Sequence, residues 1–152
     1  AIAMGPLPQR GAQNQQTQVS APHTQGHGAA LSRDRRAHGK EAEQLALGFL
    51  ESRGLKLIEA NYYCRLGELD LVMKDKNSLV FVEVRLRRNP DFGSAAESVT
   101  RNKQDKLWRA ALHFTASRPD LASLPVRFDV IALSDMRIDD SCWIQNAFGA
   151  NH

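Results

Sequence analysis

Apolar and polar residues alternate with two different periods along this chain, and the periods divide it into helices and strands. Over residues 34–52, small and large apolar residues recur at intervals of three and four and Gly54 follows, which predicts a helix and its stop. A second helix is expected over residues 96–117, where Val99, Leu107 and Phe114 share one stripe. Each amphipathic helix should pack its apolar stripe on a sheet.

Runs rich in Leu, Val, Ile and Phe predict the strands of that sheet. They are residues 55–61 (continued by 62–65 after an irregularity), 67–73, 79–87, 126–133 and 136–143. The order α-β-β-β-α-β-β contains one strand-helix-strand crossover, which favours one parallel pair within an otherwise antiparallel sheet. The expected fold class is therefore α/β, a mixed central sheet flanked by helices in three layers.

Composition predicts one domain with short tails. Of the 152 residues, the first 33 are rich in Gln, Ala, Gly and Pro and nearly uncharged, so we expect a disordered tail there, a domain over residues 34–148 and a short tail over 149–152. No apolar run is long enough to span a membrane, and two widely separated cysteines are typical of a reducing compartment, so a cytoplasmic location is expected. The net charge of +3 is compatible with a polyanionic partner.

The chemistry of interest lies on the two strands predicted over residues 67–73 and 79–87. With a period of two, Glu68 and Asp70 share a face, as do Glu83 and Arg85. Carboxylates in such apolar strands are costly unless a cation neutralises them. A divalent metal ion is one candidate, and an ion-pair network with nearby arginines (Arg65, Arg85 and Arg87) is the other. Both interpretations are open at this point.

Several motifs together resemble the YraN family of small bacterial proteins. They are G-E-L-D-L-V, F-V-E-V-R-L-R, Phe92-Gly93, Ser98-Val99-Thr100, Lys103-Gln104, Arg127-Phe128-Asp129-Val130, Trp143-Ile144 and Ala147-Phe148. The likeness covers roughly residues 39–148. That family is regarded as similar to the PD-(D/E)XK, or restriction-endonuclease-like, nucleases, which implies a restriction-endonuclease-like fold.

The resemblance also implies a site. Its metal ligands, for Mg²⁺ or Mn²⁺, would be Asp70, Glu83, Glu68 and Glu43. Its catalytic residues would be Asp70, Glu83, Arg85, Glu43 and Lys103. Contacts to nucleic acid would come from Arg85, Arg87, Lys103 and Gln104. Arg85 departs from the Lys of the superfamily pattern, and because Arg stays charged it cannot act as a general base. Lys103 is the candidate for supplying the missing ammonium group.

Three functions follow as hypotheses. The first is a metal-dependent endonuclease that hydrolyses phosphodiester bonds in nucleic acid, with DNA favoured over RNA. The second is a nucleic-acid-binding protein that keeps the nuclease fold without turnover, which the Arg85 position favours. The third is an interaction module in which the carboxylates are salt-bridged.

Overall fold

A five-stranded mixed sheet with a helix on each face forms the centre of the molecule. The computed structural model describes residues 25–87 and 97–149. Its elements are α1 (Gln25–Ser52), β1 (Lys56–Cys64), β2 (Gly67–Asp75), β3 (Ser78–Leu86), α2 (Arg101–Ser117), β4 (Val126–Leu133), a 3₁₀ turn (Asp140–Cys142) and β5 (Trp143–Phe148). The strands lie in the order β1-β2-β3-β4-β5.

The two faces of the sheet each carry a separate apolar core. Leu71, Met73 and Val82 pack with Ala42, Ala46 and Leu50 of α1 on one face. On the other face, aromatic residues of the sheet pack with Leu107, Ala110 and Phe114 of α2. Because β3 and β4 are covered on both sides, their sequences are mostly apolar, whereas β2 also carries Glu68, Asp70, Lys74 and Asp75. The result is the three-layer α/β fold expected from the sequence.

The strand directions agree with the predicted crossover. β1, β2 and β3 form an antiparallel meander, and β5 is antiparallel to β4. β3 and β4 are parallel, paired from Leu79↔Val126 to Leu86↔Leu133, with α2 between them in sequence. The single expected parallel pair is thus confirmed, and the carboxyl ends of β3 and β4 lie together at one edge.

The predicted helix boundaries need two corrections. The first helix begins at Gln25 rather than near residue 34, because Gln, Ala, Leu and Arg all favour helix once one is under way. The second begins at Arg101 rather than near residue 96. There the Thr100 side chain accepts a hydrogen bond from the Lys103 amide and caps the helix. Residues 1–24, in the expected disordered tail, lie outside the described residues, as do residues 88–96.

The last strand was predicted in the wrong place. Residues 136–143 do not form it; β5 is Trp143–Phe148, after the 3₁₀ turn. Asp135 and Met136 have positive φ angles of 51° and 53°, which belong to a tight turn and not to a strand. Met136 and Ile138 nevertheless pack against the core. The alternation of apolar and polar residues here therefore reflects which side chains are buried, and it does not indicate a strand. Within the described residues, no helix is both long and apolar enough to cross a membrane.

Candidate metal centre

β2 and β3 separate at one end of the hairpin, and the candidate site lies in the gap. Their pairing runs from Asp75↔Ser78 to Leu71↔Val82 and goes no further, although β2 reaches back to Gly67 and β3 on to Leu86. Beyond that point β2 remains paired with β1 only, and β3 with β4 only. Backbone groups that would have joined the two strands therefore become available to side chains.

Asp70 takes the place of the missing strand pairing. The Val84 amide donates a hydrogen bond of 2.9 Å to Asp70 Oδ2, which fixes the carboxyl group in the gap between the strands. The sequence predicted a shared face for Glu68 and Asp70 because strand side chains alternate, and this prediction is wrong. Leu69 belongs to the core under α2 and Leu71 to the core under α1, so the alternation is broken between them. Asp70 thus lies at the point where the alternation of β2 side chains between the two faces shifts by one residue.

Glu83 is the second carboxyl group at the gap. It is 5% exposed, and its Oε2 atom has no hydrogen-bond partner among the described residues. Burial and the nearby Asp70 charge raise the pKa of Glu83 to about 8. Burial also raises the pKa of Asp70, but its bonds from Val84 and from Glu83 act in the opposite direction. Burial thus favours the protonated form of Glu83, and its interaction with Asp70 favours that form further.

Two cationic side chains approach the pair from the α2 side. Lys103 Nζ lies 3.8 Å from Glu83 Oε1, and the Lys103 side chain is 38% exposed. Arg85 donates a hydrogen bond to the Ser98 carbonyl oxygen, just before α2. Glu83 and Arg85 do share the α2 face, as their spacing predicted. The Thr100 cap sets the start of α2, and so it also sets the position of Lys103.

Glu43, on α1, approaches from the opposite side of the sheet. Burial raises the pKa of Glu43, and the charges of Asp70 and Glu68 raise it further, so the three carboxyl groups are near enough to interact. A hydrogen bond with the Asn61 side chain partly offsets this. Glu68 itself is exposed at the start of β2.

Asn61 is a site residue that the sequence interpretation missed. It has a positive φ of 53° in the middle of β1, a conformation that Asn adopts more readily than most residues. Its neighbours Ala60 and Tyr62 pair with Leu71 and Leu69, so Asn61 lies opposite Asp70. The expected irregularity after Asn61 was the available signal. It marks the point where the side-chain alternation shifts in both β1 and β2.

The remaining predicted residues lie farther from the pair. Gln104 Nε2 donates a 3.0 Å hydrogen bond to the Val99 carbonyl oxygen, so its side chain is committed to the turn before α2. Arg87 is half-buried at the end of β3 and lines a cleft of about 530 Å³. Arg127 and Asp129 are joined by a 3.0 Å ion pair near the other end of β4.

The donor set suits a hard cation. Among the described residues, no group of three or more His, Cys, Asp or Glu side chains is arranged as a ready-made metal site. Mg²⁺, however, keeps several of its waters and is commonly held by one or two carboxylates. Asp70 and Glu83 provide two, and the buried Glu83 Oε2 is an acceptor without a donor. The residues present therefore fit Mg²⁺ or Mn²⁺.

The fold and the site define a three-layer α/β protein with a paired carboxylate centre, and comparison with known proteins gives its family. The chain belongs to the family described as "Uncharacterised protein family UPF0102", whose model matches residues 42–133. A UPF0102 protein of Saccharophagus degradans is 50% identical over 113 residues, 74% of this chain and 93% of that protein. Relatives from Nitrosococcus oceani and Legionella pneumophila are each 46% identical, over 74% of this chain and 92% and 94% of their own. The YraN-family resemblance is thereby confirmed.

Proposed function

We propose that this protein is a metal-dependent endonuclease that hydrolyses phosphodiester bonds in nucleic acid, with DNA favoured over RNA. The observation that carries the proposal is the Asp70–Glu83 pair. Two carboxyl groups meet in a gap between strands, and a buried oxygen of Glu83 has no hydrogen-bond donor among the described residues. A protein pays for such an arrangement in stability, so it is expected where charge is needed for function.

Asp70 and Glu83 would hold Mg²⁺ or Mn²⁺, with Glu43 and Glu68 adding negative charge nearby. When bound, such an ion stabilises the negative charge that develops on a phosphate during hydrolysis. Glu83 must give up its proton for this, because only the ionised carboxylate is a ligand. The Val84 amide keeps Asp70 oriented throughout.

Lys103 and Arg85 together supply the positive charge that the single Lys supplies in the superfamily pattern. Lys103 is close to Glu83 and partly exposed, so its ammonium group can reach a phosphate oxygen or the attacking water. Arg85 is anchored by the Ser98 carbonyl oxygen and adds a permanent positive charge behind the pair. Both cations favour negative charge at the same position, which is where the phosphate would lie.

A cleavage assay tests the proposal. The full chain is incubated with Mg²⁺ or Mn²⁺ and with single-stranded, duplex or branched DNA. We expect cleavage that EDTA stops and that Asp70→Ala abolishes. Asp120→Ala is the matched control, since it removes an exposed carboxylate that pairs with Arg118 at the far end of the sheet. Cleavage that persists in a chain carrying both Asp70→Ala and Glu83→Ala would show that the proposal is wrong.

A second candidate is a nucleic-acid-binding protein with the same fold and no turnover. The Lys103–Glu83 contact at 3.8 Å favours it, because the ammonium group offsets negative charge at the carboxyl pair without any metal. Arg85, which cannot move a proton, favours it as well. This function predicts salt-sensitive binding to nucleic acid and no cleavage with any divalent ion.

A further inference from the structure

Two features beside the carboxylate pair lie along the same end of the sheet. β1 ends there, β2 begins there, and β3 and β4 both end there. From β1 to β5, this end of the sheet carries Tyr63, then Asp70 and Glu83, then the cleft beside Arg137. We call these four residues, Tyr63, Asp70, Glu83 and Arg137, the strand-end track.

Tyr63 is the first feature. It is 79% exposed, the highest value among the exposed large hydrophobic residues of the described chain, and it pairs across β1 and β2 with Glu68. Tyr62 and Cys64 pack in the core under α2, so the Tyr63 ring faces solvent on the α1 side of the sheet, one strand away from Asp70, and no packing role explains it. Such rings are where single-stranded nucleic acids stack their bases, since every base offers a flat face.

The cleft of about 530 Å³ is the second feature. Its lining combines two arginines, Arg87 and Arg137, with two aspartates, Asp135 and Asp139, and with the hydroxyl groups of Ser134 and Ser141. It opens beyond the carboxyl ends of the parallel strands β3 and β4, the position at which open α/β sheets generally bind ligands.

The wall of this cleft includes a tight hairpin turn. Asp135 and Met136 both have positive φ angles, in a turn closed by the Ser134↔Arg137 bridge. Two consecutive positive φ angles are what a two-residue hairpin turn of this kind requires, and Asp adopts such angles more readily than most residues. The turn presents Arg137 at the rim of the cleft, where a ligand that enters the cleft would meet it.

The length of the track matches a short stretch of one strand. Four intervals of about 4.8 Å would give about 19 Å from β1 to β5, and the distance is greater than this because β2 and β3 separate at this end. Stacked nucleotides advance about 3.4 Å each along a strand, so at least about five fit along it. A base that stacks on Tyr63 must be free of its pairing partner, and a cleft of this size admits one nucleotide rather than a duplex.

We propose that the strand-end track binds single-stranded nucleic acid, with one base stacked on Tyr63, the backbone crossing the Asp70–Glu83 pair, and a further nucleotide in the cleft with its phosphate on Arg137. The inference rests on the proposed function, because it names the substrate class of that site. A single strand, or a single-stranded branch of a longer substrate, is therefore preferred over a continuous duplex.

Fluorescent oligonucleotides test this directly. The full chain is titrated, in Ca²⁺, with a 12-nucleotide single strand that carries 2-aminopurine and with the blunt duplex of the same sequence; a gel verifies that the DNA stays intact. We expect tighter binding of the single strand and quenching of 2-aminopurine by Tyr63. Tyr63→Ala should weaken binding about tenfold and remove the quenching, whereas Tyr63→Phe should retain both.

Matched controls separate the track from general surface effects. Arg137→Ala should weaken single-strand binding several-fold, whereas Arg118→Ala removes the same charge at the other end of the sheet and should not. Leu112→Ala, which truncates a side chain 64% exposed on α2, is the control for Tyr63→Ala. Equal affinity of wild type, Tyr63→Ala and Arg137→Ala would overturn the inference, and so would tighter binding of the duplex.

The outcome can be separated from that of the proposed function. If Asp70-dependent cleavage occurs but neither Tyr63→Ala nor Arg137→Ala affects it or binding, the inference fails and the endonuclease stands. If single strands bind through Tyr63 and no divalent ion gives cleavage, the inference holds and the endonuclease fails.

Discussion

The Val84 amide donates a 2.9 Å hydrogen bond to Asp70 Oδ2 at the point where β2 and β3 stop pairing. An amide that would otherwise have bonded a neighbouring strand is satisfied by a side chain, so the sheet can open without leaving a buried donor unpaired. The same bond holds the Asp70 carboxylate next to Glu83. One contact therefore both ends the strand pairing and positions the site.

We expect the free energy of unfolding of the metal-free protein to fall as the pH rises towards the pKa of Glu83 in the folded state. The folded pKa of Glu83, about 8, lies above its ordinary value of 4.5, so the folded state binds this proton more tightly than the unfolded state. This stabilisation is complete below about pH 4.5 and is lost as pH rises towards 8. Glu83→Gln, which keeps the shape without the proton, should remove this dependence.

Urea unfolding in EDTA at several pH values measures the effect. Between pH 5.5 and 8 the wild type should lose on the order of 2 kcal/mol more than Glu83→Gln. Parallel curves for the two proteins would show that Glu83 does not hold the proton.

We expect Lys103→Met to reduce cleavage about a hundredfold, since it removes a positioned positive charge from the phosphate site. The Lys103 charge also lowers the pKa of Glu83, so its loss should shift the pH optimum upwards. Lys103→Arg should restore part of the rate. Lys106→Met, on the exposed side of α2, is the control in rate measurements across pH. A rate for Lys103→Met equal to that of Lys106→Met would contradict the assigned role.

Replacement of Asn61 by glycine and by alanine should change the free energy of unfolding by different amounts. Asn61→Gly tolerates the positive φ, whereas Asn61→Ala does not and should cost about 1 kcal/mol of unfolding free energy. Both variants lose the hydrogen bond to Glu43, so both should bind Mn²⁺ roughly tenfold more weakly. Urea unfolding and Mn²⁺ titration separate the two effects, and unchanged Mn²⁺ affinity in both would show that Asn61 has no positioning role.

Arg127 tests a purely structural interaction away from the site. It pairs with Asp75 at 2.8 Å and with the fully buried Asp129 at 3.0 Å. Arg127→Met leaves Asp129 with the Trp143 and Asn146 donors and no cation among the described residues, and we expect a loss of about 3 kcal/mol. Arg118→Met breaks an exposed ion pair and should cost less than about 1 kcal/mol. Urea unfolding compares them; equal losses would contradict the buried role of Arg127.

Regular periodicity made much of the fold and part of the site predictable. The period of two placed Glu83 and Arg85 on one face, and the helical stripe of α2 placed Lys103 beside the buried residues. The parallel pair of β3 and β4 followed from chain connectivity.

What could not be predicted depends on single departures from those periods. The change of faces at Asn61 and Asp70 comes from one backbone conformation, which leaves no repeating signal. β5 was misplaced because Met136 and Ile138 alternate like strand residues while belonging to a turn that packs on the core. The approach of Glu43 to Asp70 was expected only from the family resemblance, because no repeating pattern relates α1 to β2.

Calorimetric titration of the full chain with Mn²⁺ tests the central claim most directly. We expect one binding event at pH 7, with release of about one proton, because Glu83 must be deprotonated to bind the ion. Repeating the titration in buffers of different ionisation enthalpy counts that proton. Asp70→Asn should weaken binding at least about a hundredfold, beyond what loss of a supporting contact causes. Absence of Mn²⁺ binding, or binding unchanged in Asp70→Asn, would show that this carboxylate pair is not a metal site.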